Sequence, residues 1–515
     1  MLRATWIIAV AVLGMSLRPP PSEAQQPIGS YYLPLDHWAY DYVDLLVARG
    51  RLEGLQPLVR PYRRADIAGA LLGAEAAQRL ADVDSRWIEE LKREFGYEIE
   101  LTGGRQAQDV RFEGRFDAGF KGISQRHRDV LRPEGDEALF AALDLRLRTD
   151  APNMAGAFHI RWDGFYLDDA QFQGRRLIPF RECDPLVAEC AYRVEEGYME
   201  VQLPYARLFF GRGYRNWGFP GSHGFLVSNY AYSYDHVAYR FGSSRISLSG
   251  LLAPLNDFGG DTARYFSAHR LDWQLRDNLV LSASESVIYG GVNRRLDLNL
   301  TNPVGIWEIS PSADAEANTL GLAEVWWRPR TAMVTYFAFL VDNTRVGEAG
   351  EAEGFTQWGA QMSVQLPAVA PRLALRGDLS LANSLAYRSR VDRTFYYAFQ
   401  GLGLGRDKAD VILASVQADW YASPRGVLRP RIDVQWKGQD DLRQDWPLDA
   451  FTGHDLMLNG LTEQIVRPAV AGRWRISRGE VTWDLGLNLV KNQQHLPSGW
   501  KVKAVGRVEA RVRVF

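Results

Sequence analysis

From residue 106 onward, apolar side chains recur at every second position, and this period constrains the fold more than any other feature. Residues 500–515 read WKVKAVGRVEARVRVF, with Val502, Ala504, Gly506, Val508 and Ala510 on one parity and Lys501, Lys503, Arg507, Glu509 and Arg511 on the other. Residues 108–121 behave alike: Val110, Phe112, Phe116 and Phe120 oppose Arg111, Glu113, Arg115 and Lys121. Successive side chains of a strand point to opposite faces, so each segment is a strand with one oily and one charged face. Further runs fall near 143–147, 155–167, 196–213, 236–253, 265–291, 319–343, 355–384, 408–438 and 464–492, many split by a tight turn such as Arg276-Asp277-Asn278. The count is about sixteen to eighteen antiparallel strands, most simply 18, with long loops alternating with short turns as in bacterial outer-membrane barrels.

Local alternation also suits a soluble sandwich, whose charged face meets water. Three features favour a transmembrane barrel over residues 106–515. Residues 1–24 form an export signal, with Arg3, a short apolar core over 4–17, prolines at 19–21 and a small-residue cleavage site at Ser22-Glu23-Ala24. No later apolar run is long enough for a spanning helix, so any membrane crossing is by strands. The 22 Tyr and 16 Trp suit aromatic girdles at the membrane interfaces, and the chain ends on Phe515. Phe515 shares parity with Arg513 and Arg511, so facing lipid requires a bulge or a frayed end.

Residues 30–100 carry a different period. Three helices are predicted, over 36–49, 62–73 and 84–95, with Asp36 capping the first and Gly50 ending it. A module this small is expected on the periplasmic side, packed against the rest of the chain.

The remaining chemistry is sparse. The formal net charge of −2 excludes a nucleic-acid-binding tail. Cys183 and Cys190, in a polar segment of an exported chain, are expected to form a local disulfide. The eight His form no metal spacing, and Gly221-Ser222-His223-Gly224 is not a nucleophile elbow. Asp168-Asp169 and Asp440-Asp441 are adjacent pairs expected in solvated loops. Neither a cofactor nor a catalytic set is indicated.

Two stretches resemble the capsule assembly protein Wzi family. One is Leu35-Asp36-His37-Trp38 through Gly50 with Arg60-Pro61-Tyr62-Arg63-Arg64-Ala65-Asp66. The other is FFGRGYRNWGFPGSHGFLVSN over 209–229. The resemblance implies a periplasmic helical bundle on an 18-stranded outer-membrane barrel, acting without catalysis in capsule or exopolysaccharide assembly or surface attachment. The helical module also resembles an S-layer homology repeat, which implies contact with peptidoglycan. The expected partners are thus membrane lipid and polysaccharide, and a monomer is expected. Arg212, Arg215, Asn216 and Trp217 are candidates for polysaccharide contact, because arginine pairs with carboxylates and aromatic faces stack on sugars. The plainer assignment makes Trp217 an interface anchor and the arginines lumen charges. A diffusion channel is the main rival function and an outer-membrane glycan- or lipid-modifying enzyme the lesser.

Overall fold

The structure, a computed structural model, describes residues 28–80, 85–104, 110–125, 127–132, 137–163, 192–255, 261–307, 317–342, 357–389, 393–447 and 456–515. The export segment, Cys183, Cys190 and Asp168-Asp169 lie outside these residues.

Eighteen antiparallel strands close into one barrel. They are β1 (Arg111–Ile123), β2 (Ala138–Ala151), β3 (Met154–Asp163), β4 (Tyr192–Leu203), β5 (Ala206–Gly213), β6 (Tyr234–Gly242), β7 (Ile246–Pro254), β8 (Thr262–Arg276), β9 (Leu279–Val292), β10 (Ala317–Arg330), β11 (Met333–Asp342), β12 (Trp358–Ala370), β13 (Leu373–Ala382), β14 (Val411–Ser423), β15 (Gly426–Lys437), β16 (Glu463–Ile476), β17 (Gly479–Lys491) and β18 (Lys501–Arg513). Connections alternate between two- to three-residue turns and longer loops, so the barrel has a short-turn end and a long-loop end.

The alternation sorts as its chemistry demands. On β2, Leu139, Leu143 and Leu147 are exposed outward while Phe140, Asp144 and Arg146 are buried inward. Exposed Trp273, Trp327, Trp420 and Trp474 each lie within a few residues of a short turn. Together with Phe112, Phe241 and Phe515 they ring the short-turn end in aromatics, as an interfacial girdle does. Water does not tolerate so continuous an apolar exterior, and a bilayer does.

β18 pairs with β1 over seven residues, from Asp117↔Arg513 to Ile123↔Arg507. Beyond them Val514 N–H donates to the Phe116 carbonyl, while Phe116 N–H donates to the Phe515 carbonyl. Two residues thus oppose one, a β-bulge, and the phase resets. The Phe515 ring stacks on outward-facing Phe116, centroids 5.7 Å apart.

The N-terminal residues form α1 (Ala39–Ala48), α2 (Arg64–Ala76), α3 (Ser85–Glu94) and α4 (Gly96–Thr102), one helix more than predicted. Gly50, at φ +70°, ends α1 as expected. Asp36 does not cap it: Trp38 occupies that position without a side-chain cap. Asp36 instead accepts Arg511 of β18 at 2.7 Å, an attraction stronger than a local cap. Tyr31 meets the other side of the closing seam, through its hydroxyl to Glu113 (3.3 Å) and its N–H to Asp150 (3.2 Å).

Candidate functional site

The interior of the barrel is the part of this molecule on which function turns, because its filling decides what can pass. The helical module enters from the short-turn end. Tyr42 donates to the Pro424 carbonyl at 2.9 Å, Arg49 to Pro367 and Pro371 at 2.8 and 2.9 Å, and Arg328 to Val47 at 2.7 Å. Around these turn contacts runs a ring of ion pairs with acids on the module and arginines on the wall. Asp41 accepts Arg429 (2.6 Å) and Arg473 (3.2 Å), Asp66 accepts both ends of Arg207 (2.8 and 2.9 Å), and Glu90 lies 3.4 Å from Arg475. Arg511 holds the Asp36 carboxyl, half exposed at the module edge, well below its ordinary value, and Arg207 holds the buried Asp66 carboxyl below its own although burial opposes it. Burial, with Arg64 and Arg148 nearby, pushes the His37 imidazole well below its ordinary range.

From the long-loop end, residues 214–233, 383–389 and 393–410 fold inward to meet the module. Asn216 and Trp217 form a two-residue antiparallel pair with Arg60 and Val59, and Gly218 N–H donates to the Leu58 carbonyl at 2.8 Å. The two loops then join each other: Tyr387 hydroxyl to Phe225 carbonyl (3.1 Å), Tyr397 hydroxyl to Leu226 carbonyl (2.9 Å), Ser228 Oγ to Gly405 carbonyl (2.6 Å). The fit is tight enough that a Cβ on Gly405 would sit 1.7 Å from the Phe225 oxygen. Leu58, Phe219, Phe225, Leu226, Tyr387, Tyr397 and Leu404 are fully buried, within one apolar cluster that runs from the helices to both loops. A packed core of this kind excludes water from the middle of the lumen.

Of the four candidate contact residues, Arg215 and Trp217 border one cavity, while Arg212 and Asn216 lie apart from it. Arg212 points outward, paired at 2.6 Å with exposed Asp235 at the long-loop end. Arg215 points inward: its Nε donates to His236 Nε2 at 2.9 Å, and its guanidinium lies 4.4 Å from the Phe209 ring centroid. Asn216 is a staple, donating to the Ser222 carbonyl and accepting from Gly224 N–H, both at 2.9 Å. Trp217, 2% exposed, belongs to the plug core, neither at a lipid interface nor open to a polymer.

Among the described residues no group of three His, Cys, Asp or Glu could hold a metal. Ser222 Oγ accepts from Arg376 (2.7 Å), while His223 bonds Asn229 (3.1 Å), so the two do not form a nucleophile and base. Burial and Arg406 hold His223 down at about 4, with the Asn229 bond opposing them. Asp440 and Asp441, read above as solvated, are engaged: Asp440 by Arg388 (2.6 Å), Asp441 by Arg443 (2.9 Å). Sequence reasoning missed the two inward loops. Their signal was FPGSHGFLV over 219–227 and FYYAFQGLGL over 395–404, which are too apolar for loops left in water.

The chain matches no family model and no curated protein sequence. Solved structures do resemble it. Wzi of Escherichia coli, described as an outer-membrane protein involved in group 1 capsule assembly and a carbohydrate-binding β-barrel, aligns over 94% of this chain and 99% of its own, at 11% identity and a TM-score of 0.60. OccD3 of Pseudomonas aeruginosa aligns over 80% of this chain and 94% of its own, at 10% identity and a TM-score of 0.44. A BenF-like porin of Pseudomonas fluorescens Pf-5 aligns over 79% and 99%, at 7% identity and 0.44. What this chain shares with Wzi is the fold, a β-barrel of the outer-membrane kind.

Proposed function

We propose that this protein is a closed, non-catalytic outer-membrane scaffold that assembles or retains capsular or other exopolysaccharide at the cell surface, with its helical module on the periplasmic side. One observation carries the reading. The lumen of a barrel wide enough for an aqueous channel is filled by a continuous apolar core built from both ends. A diffusion channel keeps that space wet, and a scaffold has no use for it. The likeness to Wzi over nearly the whole chain supports polysaccharide as the partner.

Two measurements test it. Purified protein in planar bilayers is expected to show no steady conductance, and a stable open pore would return the channel reading. Deletion of the gene is expected to shift polysaccharide from the cell-bound to the shed fraction, and an unchanged ratio would remove the surface-retention role.

A further inference from the structure

A cavity of about 560 Å³ opens at the short-turn end, between α2 and the inner wall of β4–β7. Its size lies within the roughly 300–1,000 Å³ usual for small-molecule sites. Most of its charges are matched. Asp66 takes Arg207, Glu53 takes Arg79, and Glu200 takes Arg63 at 2.9 Å. Two guanidinium groups are not so matched. Arg215 is bonded to a histidine, and Arg240 to the Ser243 carbonyl at 3.3 Å. Neither has a carboxylate within ion-pair distance among the described residues. Both border the cavity, as does Tyr32, whose ring lies 5.3 Å beneath the Arg215 guanidinium. Four arginines (Arg79, Arg207, Arg215, Arg240) face three carboxylates (Glu53, Asp66, Glu200) around the cleft, a net positive lining that attracts an anion, and guanidinium favours a carboxylate or a phosphate. An amphipathic aromatic beside them adds a surface on which a sugar ring can lie.

We propose that this cavity is a binding site for an acidic saccharide of one or two rings, entering from the short-turn end, with Arg240 taking its carboxylate and Arg215 adding positive charge further along the wall. The saccharide class rests on the proposed function, while the size and charge of the cavity do not, so binding in solution and surface retention in cells can fail separately.

The test is calorimetric titration of the full-length protein in detergent with digalacturonate, and with cellobiose as the neutral counterpart. Digalacturonate is expected to bind at least about tenfold more tightly than cellobiose, the worth of one charge-assisted contact. Arg240→Gln is expected to weaken it about tenfold. Gly73→Trp keeps every charge and is expected to abolish binding: Gly73 borders the cavity from α2, and a Cβ there meets nothing within 4 Å. The proposal is overturned if digalacturonate gives no heat with the unaltered protein, if cellobiose binds equally well, or if Gly73→Trp binds as before.

Discussion

Asp41→Ala should loosen the plug without loosening the barrel. Asp41 lies in the first turn of α1 and joins it to two wall arginines, Arg429 at 2.6 Å and Arg473 at 3.2 Å, with all three side chains at most 22% exposed. Stripping one partner from a fully buried pair costs about 3–5 kcal/mol, chiefly because the other charge is stranded. Here neither arginine is stranded. Arg429 keeps Asp419 at 3.1 Å, and Arg473 keeps the Asp36 carbonyl at 2.7 Å. What is lost is two charge-assisted hydrogen bonds at about 1.5–3 kcal/mol each, offset by those remaining partners and by partial solvation. A net cost of about 2–4 kcal/mol follows, or about 30- to 700-fold in the docking equilibrium. Hydrogen–deuterium exchange on the full-length protein in micelles reads this directly, because α1 amides that exchange through undocking lose protection by that factor. β14–β16 should keep theirs. Unchanged α1 protection would show that the ion pairs do not hold the plug. Equal loss in every strand would show that Asp41 supports the barrel as a whole.

Further outcomes follow from the same geometry. His37, Asp36 and Asp66 are all held below their ordinary values of 6.5, 3.8 and 3.8, so each binds fewer protons docked than undocked. The contribution of these three groups to docking is therefore fullest above about pH 6.5, falls first as undocked His37 gains a proton, and falls again below about pH 4 as the freed carboxyls do. Asp44, raised by burial, pairs with Arg60 inside the module and travels with it. Exchange in α1, corrected for intrinsic rate, should rise between pH 7.5 and 5.5, and a flat profile would refute the linkage. Val508→Arg places a cation on the lipid face of β18 and should lower unfolding stability in lipid by up to about 2–4 kcal/mol, whereas Val508→Leu should be near neutral. Gly405→Val drives a side chain into the Phe225 carbonyl, so it should part the two inward loops and produce conductance where the unaltered protein has none. A silent bilayer with this variant would mean that the module alone closes the lumen.

The barrel was legible because a period of two records which of two solvents each side chain meets. Leu139 and Asp144 differ in that respect whatever strand number or tilt the barrel adopts. The terminal phase was not legible, since a bulge opposite Phe116 is a backbone event with no residue type of its own. Asp36 misled for a related reason. A local cap and an ion pair 475 positions away ask for the same side chain, and only the fold shows that Arg511 arrives. Of the candidate contacts, Arg215 and Trp217 both border a cavity, but only 2% of Trp217 is left exposed once the loops pack on it. Sequence spacing sets which residues are neighbours along a strand, but not which loop turns inward.

The closing seam carries one more consequence, for the order in which the cylinder can be made. Its seven paired residues join the first strand to the last, the longest loop closure in the chain, and such closures are entropically slow. The module touches both margins, through Tyr31 on β1 and β2 and through Asp36 on β18. It therefore clasps the two margins through contacts separate from the seven pairs that join them. A sheet that met its plug before it closed would need no later opening to admit it.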